Sequence, residues 1–231
     1  LGAKAVLWNQ GEPIPRQGPD YDAVFVLCPP GTVQPNTVAE QLSGVKRVVY
    51  CSSTGVYPSC ADGEEITEES SACSETPRAV ARRGAEKAFL DIGARVVRAG
   101  GIYGPGRNIL ERVKTGRVRV SGNLERYVNM IHVEDLAAIL LSAAVRVAEQ
   151  QIFIAVDGVP IRWMDLANGA SELADVALPE PTELPENPRT RSFYTQSRRI
   201  NNEQTLIALG VRLAYPDILK ALAMLSPKKV N

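Results

Sequence analysis

The tightest constraint on this chain is a pair of apolar runs that lack polar alternation. Ala23-Val24-Phe25-Val26-Leu27 is one, and Val45 to Cys51 (VKRVVYC) ends in the other. Such runs fit strands covered on both faces, as in a parallel sheet with helices above and below. Pro29-Pro30-Gly31 breaks the first run, and Ser52-Ser53-Thr54-Gly55 follows the second. Ala5 to Trp8, Ala94 to Arg98 and Gln151 to Val156 supply three more strand candidates. Helical stretches lie between them. Thr37-Val38-Ala39-Glu40 fits a capping box opening a helix toward Leu42. Further helices are expected over 78–92, 109–114 and 133–147. Two more close the chain, one stopped by Gly210 and one starting near Pro216 as a first-turn proline. This alternation predicts an α/β fold, a doubly wound parallel sheet. The polar stretch 58–77, with Glu64, Glu65, Glu68 and Glu69, reads as a solvated surface excursion. Residues 177–192 carry four prolines and read as a loop on a smaller C-terminal lobe. No internal repeat is present.

Composition narrows the function classes. Lys+Arg and Asp+Glu are 26 each, so the chain lacks the basic excess of a general nucleic-acid binder. No apolar run approaches the roughly 18 residues of a membrane span. His132 is the single histidine, which excludes HExxH and multi-histidine metal sites, and no metal site is expected. Cys28, Cys51, Cys60 and Cys73 show no CxxC spacing. They read as reduced thiols, which points to the cytoplasm or an organelle matrix. The 231 residues suit one large α/β domain with a small lobe.

Three motifs sit where chemistry is expected. Gly101-Ile102-Tyr103-Gly104-Pro105-Gly106 follows a strand and precedes a helix. It lacks the third glycine of GxGxxG and holds a proline, so a structural turn is the better reading. Ser52-Ser53-Thr54 lies at the carboxyl end of a buried strand, where doubly wound sheets form their ligand crevice. These hydroxyls either meet a ligand or cap the strand end. Met130 to Leu136 leads into a helix with Glu134 and Asp135 in its first turn. There His132 is either a general base or, the commoner case, structural. No GxSxG elbow supports a Ser-His-Asp hydrolase.

VVYCSSTGVYP (48–58), RVVRAGGIYGPGRNILERV (95–113) and NMIHVEDLA (129–137) resemble the extended short-chain dehydrogenase/reductase superfamily. They are similar more narrowly to its atypical NAD-dependent epimerase/dehydratase-like, YeeZ-like branch, and RRINNEQTLIALGVRLAYPDILKAL (198–222) resembles its close. The resemblance implies a Rossmann-like, extended-type sheet with a small C-terminal substrate lobe. Residues 1–156 would form an incomplete dinucleotide-binding core, with 104–128 lent to the lobe. Residues 157–231 would form the lobe and closing helices. The family's opening strand, glycine-rich turn and helix are missing from this sequence, which is expected to enter just before the third family strand. NAD or NADP binding is therefore expected only where that N-terminal βαβ unit is supplied.

The resemblance also assigns site residues. Cys28, Pro29, Pro30, Ser52, Ala99, Gly100 and Gly101 would line the cofactor. Thr54, Arg107 and Asn129 would face the substrate. The superfamily's YxxxK dyad is absent. Counting back from Glu86, Arg82 takes the lysine position and Arg78 the tyrosine position, while Ser53 remains as the serine. Arginine cannot exchange a proton near neutrality; it can only stabilise negative charge. Arg78 and Arg82, one helical turn apart, would then hold a carboxylate or phosphate. Tyr57 is left as the substitute proton donor. Two functions stay open: an NAD(P)-dependent oxidoreductase or epimerase-like step on a small substrate, or a catalytically inactive binding or scaffold subunit with a protein partner.

Overall fold

The computed structural model describes residues 12–14, 21–31, 34–60 and 64–225. The expected strand at Ala5 to Trp8 lies outside the described residues. The elements run β1 (Val24–Val26), α1 (Pro35–Leu42), β2 (Val48–Ser53), α2 (Pro77–Asp91), β3 (Arg95–Ala99), β4 (Gly101–Tyr103) and α3 (Ile109–Lys114). They continue through β5 (Tyr127–Val128), β6 (Met130–His132), α4 (Val133–Val145), β7 (Ile152–Ala155), β8 (Ile161–Arg162) and α5 (Trp163–Ala174). The chain ends with α6 (Pro188–Thr195), α7 (Glu203–Leu209) and α8 (Ile218–Leu225).

Strands β1, β2, β3 and β7 form one parallel sheet in that order. The apolar runs explain why it is covered twice. In β2, Val48 and Tyr50 face α1 and α2 with Val38, Leu42, Ala85 and Phe89. Val49 and Cys51 face the opposite layer with Leu136, Ile139 and Leu209 of α4 and α7. Alternate residues point to opposite faces, so a strand buried on both must be apolar throughout. A separate core joins α3, α5 and α8 through Leu110, Leu166, Ile218 and Leu222. This is the small lobe. α7, one of the closing helices, packs on the sheet through Leu209.

Several local expectations need correction. The helix at 37 begins earlier, at Pro35, with Gln34 as N-cap and no side-chain cap. Proline at the first position carries a preset φ, so Thr37 falls inside the first turn. α8 begins after Pro216; Asp217 caps it by accepting from the Lys220 N–H at 3.2 Å. The expected proline-rich loop is helical at its end, where α6 begins at Pro188 and runs on to Thr195. Gly101–Tyr103 is a short strand, paired parallel to β6, before the turn closed between Gly104 and Arg107. Glu68 is not simply solvated: it accepts from the Thr205 backbone N–H at 2.9 Å.

A buried ion pair ties α2 to the sheet. Arg98 donates to Glu86 through Nε (3.1 Å) and Nη2 (2.8 Å), and Ser52 Oγ donates to the same carboxylate at 2.6 Å. Arg98 also donates to the Tyr57 hydroxyl at 2.9 Å. Burial opposes the Arg98 charge, but Glu86 and Tyr57 outweigh it and hold its pKa above the ordinary arginine value. Glu86→Ala should therefore cost about 3–5 kcal/mol by leaving Arg98 buried and unpaired. Urea unfolding of the variant checks this; a loss below 1 kcal/mol would show that the pair does not anchor α2.

The lobe is joined to the sheet by a carboxylate-rich junction. Asp135 Oδ1 and Oδ2 accept from the Ala214 and Tyr215 N–H groups at 2.8 Å each. Asp157 is 2% exposed, and its Oδ2 has no partner among the described residues. Burial, aided by the charges of Asp217 and Asp135, pushes its carboxyl up to about 8. The folded state then holds a proton that the unfolded chain releases near pH 4. Stability should fall as pH rises from about 4 to 8, by on the order of 1 kcal/mol per unit. Asp157→Asn should flatten that slope in urea titrations at pH 5, 6.5 and 8.

Candidate functional site

The carboxyl ends of β1, β2 and β3 open into a crevice. Two adjoining cavities occupy it. The larger, about 460 Å³, is walled by Ser52 to Gly55, Arg78, Arg82, Ala99 to Gly101, Arg107, Asn129 and Arg198. The smaller, about 380 Å³, has Pro29, Pro30 and Gly31 on one side and Arg78, Arg82 and Phe193 on the other. Of the expected cofactor wall, Ser52, Ala99, Gly100 and Gly101 line the larger cavity while Pro29 and Pro30 line the smaller. Cys28 lines neither; it packs beside the Val26 and Tyr50 core.

Thr76 caps α2 by accepting from the Ala79 N–H at 3.3 Å, and Pro77 starts it. That fixes the helix entry, and residues four apart share its face. Arg82 is half-buried and donates through Nη1 to the Cys51 carbonyl (3.0 Å) and the Tyr50 hydroxyl (3.3 Å). Arg78 is exposed, with its Cζ 4.4 Å over the Phe193 ring. Arg198 donates through Nε to the Tyr57 and Pro58 carbonyls. Burial pushes its pKa down to about 10, which still leaves it charged at neutral pH.

The hydroxyls divide by role. Ser52 Oγ serves Glu86. Ser53 Oγ accepts from the Gly55 N–H at 3.1 Å and caps the 3-10 turn Thr54–Val56, yet both Ser53 and Thr54 border the larger cavity. Tyr57 corrects an expectation. It is fully buried among Val56, Ile66, Ile154 and Ile200, is absent from both cavity walls, and its hydroxyl accepts from Arg98. Burial, partly opposed by Arg98, raises its pKa. It is therefore not placed as a proton donor to the crevice. His132 lies outside both cavity walls: its Nδ1 caps α4 by accepting from the Glu134 N–H at 3.3 Å and its ring lies 3.8 Å from that of Tyr215, while its buried Nε2 has no partner among the described residues. The Asn129 amide donates to the Arg198 carbonyl (2.9 Å) and accepts from the Ile200 N–H (3.1 Å). It fastens the returning tail, and Asn129 also borders the larger cavity.

Sequence reasoning missed Arg198, Phe193 and Tyr127 as wall residues. Arg198 and Phe193 reach the crevice from segments more than a hundred residues downstream of β2, and no local spacing announces such a return. Arg198 falls in the tail that carried the resemblance, the one signal available.

A crevice at the carboxyl ends of a parallel sheet, bordered by a small lobe, defines a Rossmann-like protein of the extended short-chain dehydrogenase/reductase class. The chain belongs to the NAD dependent epimerase/dehydratase family, whose model matches residues 35–155. Among solved structures it is similar to a functionally unknown conserved protein from Silicibacter pomeroyi, at 27% identity and a TM-score of 0.76, covering 91% of this chain and 80% of that one. It is similar in fold to the Thermotoga maritima UDP-glucose 4-epimerase solved with UDP-glucose, at 18% identity and a TM-score of 0.71, over 89% of this chain and 75% of that one. Human epimerase family protein SDR39U1, solved with NADPH, aligns at 16% identity and a TM-score of 0.69, over 91% and 83%. No curated protein matches the chain. Among the described residues no helix is long and apolar enough to cross a membrane.

The crevice wall sets one stability test. A Cβ on Gly100 would lie 2.6 Å from the Asn129 carbonyl oxygen, a backbone atom that cannot step aside. Gly100→Ala should cost about 1–3 kcal/mol as an overpacking change and lower the melting temperature measurably. An unchanged melting curve would mean that β3 and the residue 129 segment are not packed this closely.

Proposed function

We propose that the crevice binds a small organic anion, a carboxylate or phosphate ester, rather than performing ordinary carbonyl reduction. The observation that carries this reading is the cavity wall: Arg78, Arg82, Arg107 and Arg198 border it, and no Asp or Glu does among the described residues. Guanidinium groups on a wall that carries no carboxylate among the described residues suit carboxylate and phosphate ligands, which they bind with paired N–H donors. Arg82, held by Cys51 and Tyr50, is the preorganised member.

The NAD or NADP expected of the family fits this chain in part. The smaller cavity and the Ala99–Gly101 wall offer space beside Arg78 and Arg82. A dinucleotide pyrophosphate needs free N–H donors at a glycine-rich helix start. The turn at Gly104 to Gly106 leads into α3, but Asn108 Oδ1 already accepts from the Glu111 N–H there. The described residues thus offer a ribose-sized place without a pyrophosphate cradle, and no step is assigned through the cofactor.

Proton supply separates the two functional readings. Reduction of a ketone needs an acid at the developing alkoxide, and general acid catalysis typically contributes about 10²–10⁴-fold. Arg78 and Arg82 cannot supply the proton. Catalysis as an oxidoreductase or epimerase-like enzyme remains the second reading, favoured by Tyr127, a half-buried phenol on the cavity wall. Calorimetric titration with citrate, phosphate and pyrophosphate should show binding, weakened in Arg82→Ala by about 1.5–3 kcal/mol. NAD(P)H oxidation over a ketone and aldehyde panel should stay at background. Turnover near 10 s⁻¹, lost in Tyr127→Phe, would overturn the binding reading.

A further inference from the structure

One side of the larger cavity is apolar. Gly101, Ile102, Val128 and Met130 all border it. Strands β4 and β6 hold this side together, pairing Gly101 with Met130 and Ile102 with Ile131. Met130 lies against Gly101, where a Cβ would meet its Sδ at 2.7 Å. Val128 and Met130 also pack against the lobe core. Ile131 is fully buried, whereas its strand partner Ile102 stays 37% exposed. The turn after β4 brings in the charge. Gly104 and Arg107 exchange backbone hydrogen bonds at 3.0 and 3.1 Å, and the Asn108 amide donates to the Gly104 carbonyl at 2.9 Å. Gly106, at φ +72°, supplies the left-handed residue of that turn. The backbone at Arg107 is thereby fixed. Arg82 and Arg198 donate to backbone carbonyls. The Arg107 guanidinium also borders the cavity wall and has no hydrogen bond, ion pair or ring contact among the described residues.

We propose that Ile102 sets the ligand class of the larger cavity: an amphiphilic anion, whose charged group meets Arg107 and whose apolar body lies on Ile102, Val128 and Met130. This rests on the anion-binding reading and narrows it. Apolar surface on a concave wall gains free energy when a ligand covers it, in proportion to the area removed from water. An inorganic anion or a compact polyanion satisfies the arginines and leaves that surface wet. A carboxylate or phosphate ester with a hydrocarbon part uses both features. Ligand pockets commonly combine an apolar lining with a few polar groups that fix orientation. Here the guanidinium with unspent donors fixes the end that carries charge, and Ile102 selects what is attached to it.

The test is calorimetric titration of the 231-residue chain with inorganic phosphate, propyl phosphate and hexyl phosphate. Affinity should rise along the series, by about four-fold for each methylene that reaches the apolar side. Ile102→Thr keeps a β-branched side chain on the strand and makes it polar. It should flatten the series and leave the affinity for inorganic phosphate unchanged. Ile102→Val, a milder change, should weaken hexyl phosphate alone by about two- to four-fold, which keeps the test open if the threonine variant does not fold. Arg107→Ala should weaken all three probes by about ten- to a hundred-fold, the weight of a charged hydrogen bond, with the chain-length gain retained. Equal affinity for the three phosphates, a gain untouched by both Ile102 variants, or wild-type affinity in Arg107→Ala would overturn the proposal, while citrate binding and its loss in Arg82→Ala still report on the anion site. Absence of binding of every probe and of citrate by the wild type, or equal binding by Arg82→Ala, would instead remove the anion-site reading and this proposal with it.

Discussion

The buried Glu86–Arg98 pair determines how the crevice is built. It joins α2 to the carboxyl-terminal half of β3, in a layer where an unpaired charge would be strongly disfavoured. Its geometry fixes the rotation of α2 about its own axis. Arg82 and Arg78 lie one and two turns before Glu86, so the face that presents Glu86 to the sheet presents them to the sheet's carboxyl end. The same pair recruits Ser52 and Tyr57. Two hydroxyls that sequence places near the chemistry are thereby committed to holding the scaffold.

That commitment extends to the carboxylates. Glu86 serves Arg98, Glu68 serves Thr205, Glu65 accepts from Asn201, and Asp135 holds the Ala214–Tyr215 backbone. Asp157 sits in the lobe junction, held neutral by burial up to about pH 8. These acids act as structural posts, and among the described residues the larger cavity is lined by Arg78, Arg82, Arg107 and Arg198 and by no Asp or Glu. A chain with balanced formal charge thus concentrates positive potential in one concavity, where low-dielectric walls strengthen it.

The architecture was legible because its signals are local. Non-alternating runs marked β1 and β2, and Gly210 ended α7 as expected. The small elements were less legible. β5 and β8 are two residues each, too short for a periodic pattern. α6 carries no apolar face, so its sequence reads as the loop that its four-proline neighbourhood suggests. The site was legible in composition and not in orientation. Arg78 and Arg82 follow from counting along α2, but nothing in VYP announces that Tyr57 turns inward to Arg98. That choice is made by residues 41 positions apart, and the tail contacts of Arg198 span 141.

A crevice wall lined by arginines has a second consequence, for pH. A tyrosine–lysine pair changes protonation as it works, whereas guanidinium charge is constant across the physiological range. Arg198, lowered to about 10 by burial, is still cationic there. The charge of the arginine-lined wall therefore does not vary between about pH 5 and 8. The fold's stability does vary there, through Asp157 at the lobe junction. Grip on the ligand and hold on the lobe are thus governed by different groups in different layers. The response to acidity in this structure is thus located in the scaffold, at Asp157, rather than in the arginines of the crevice wall.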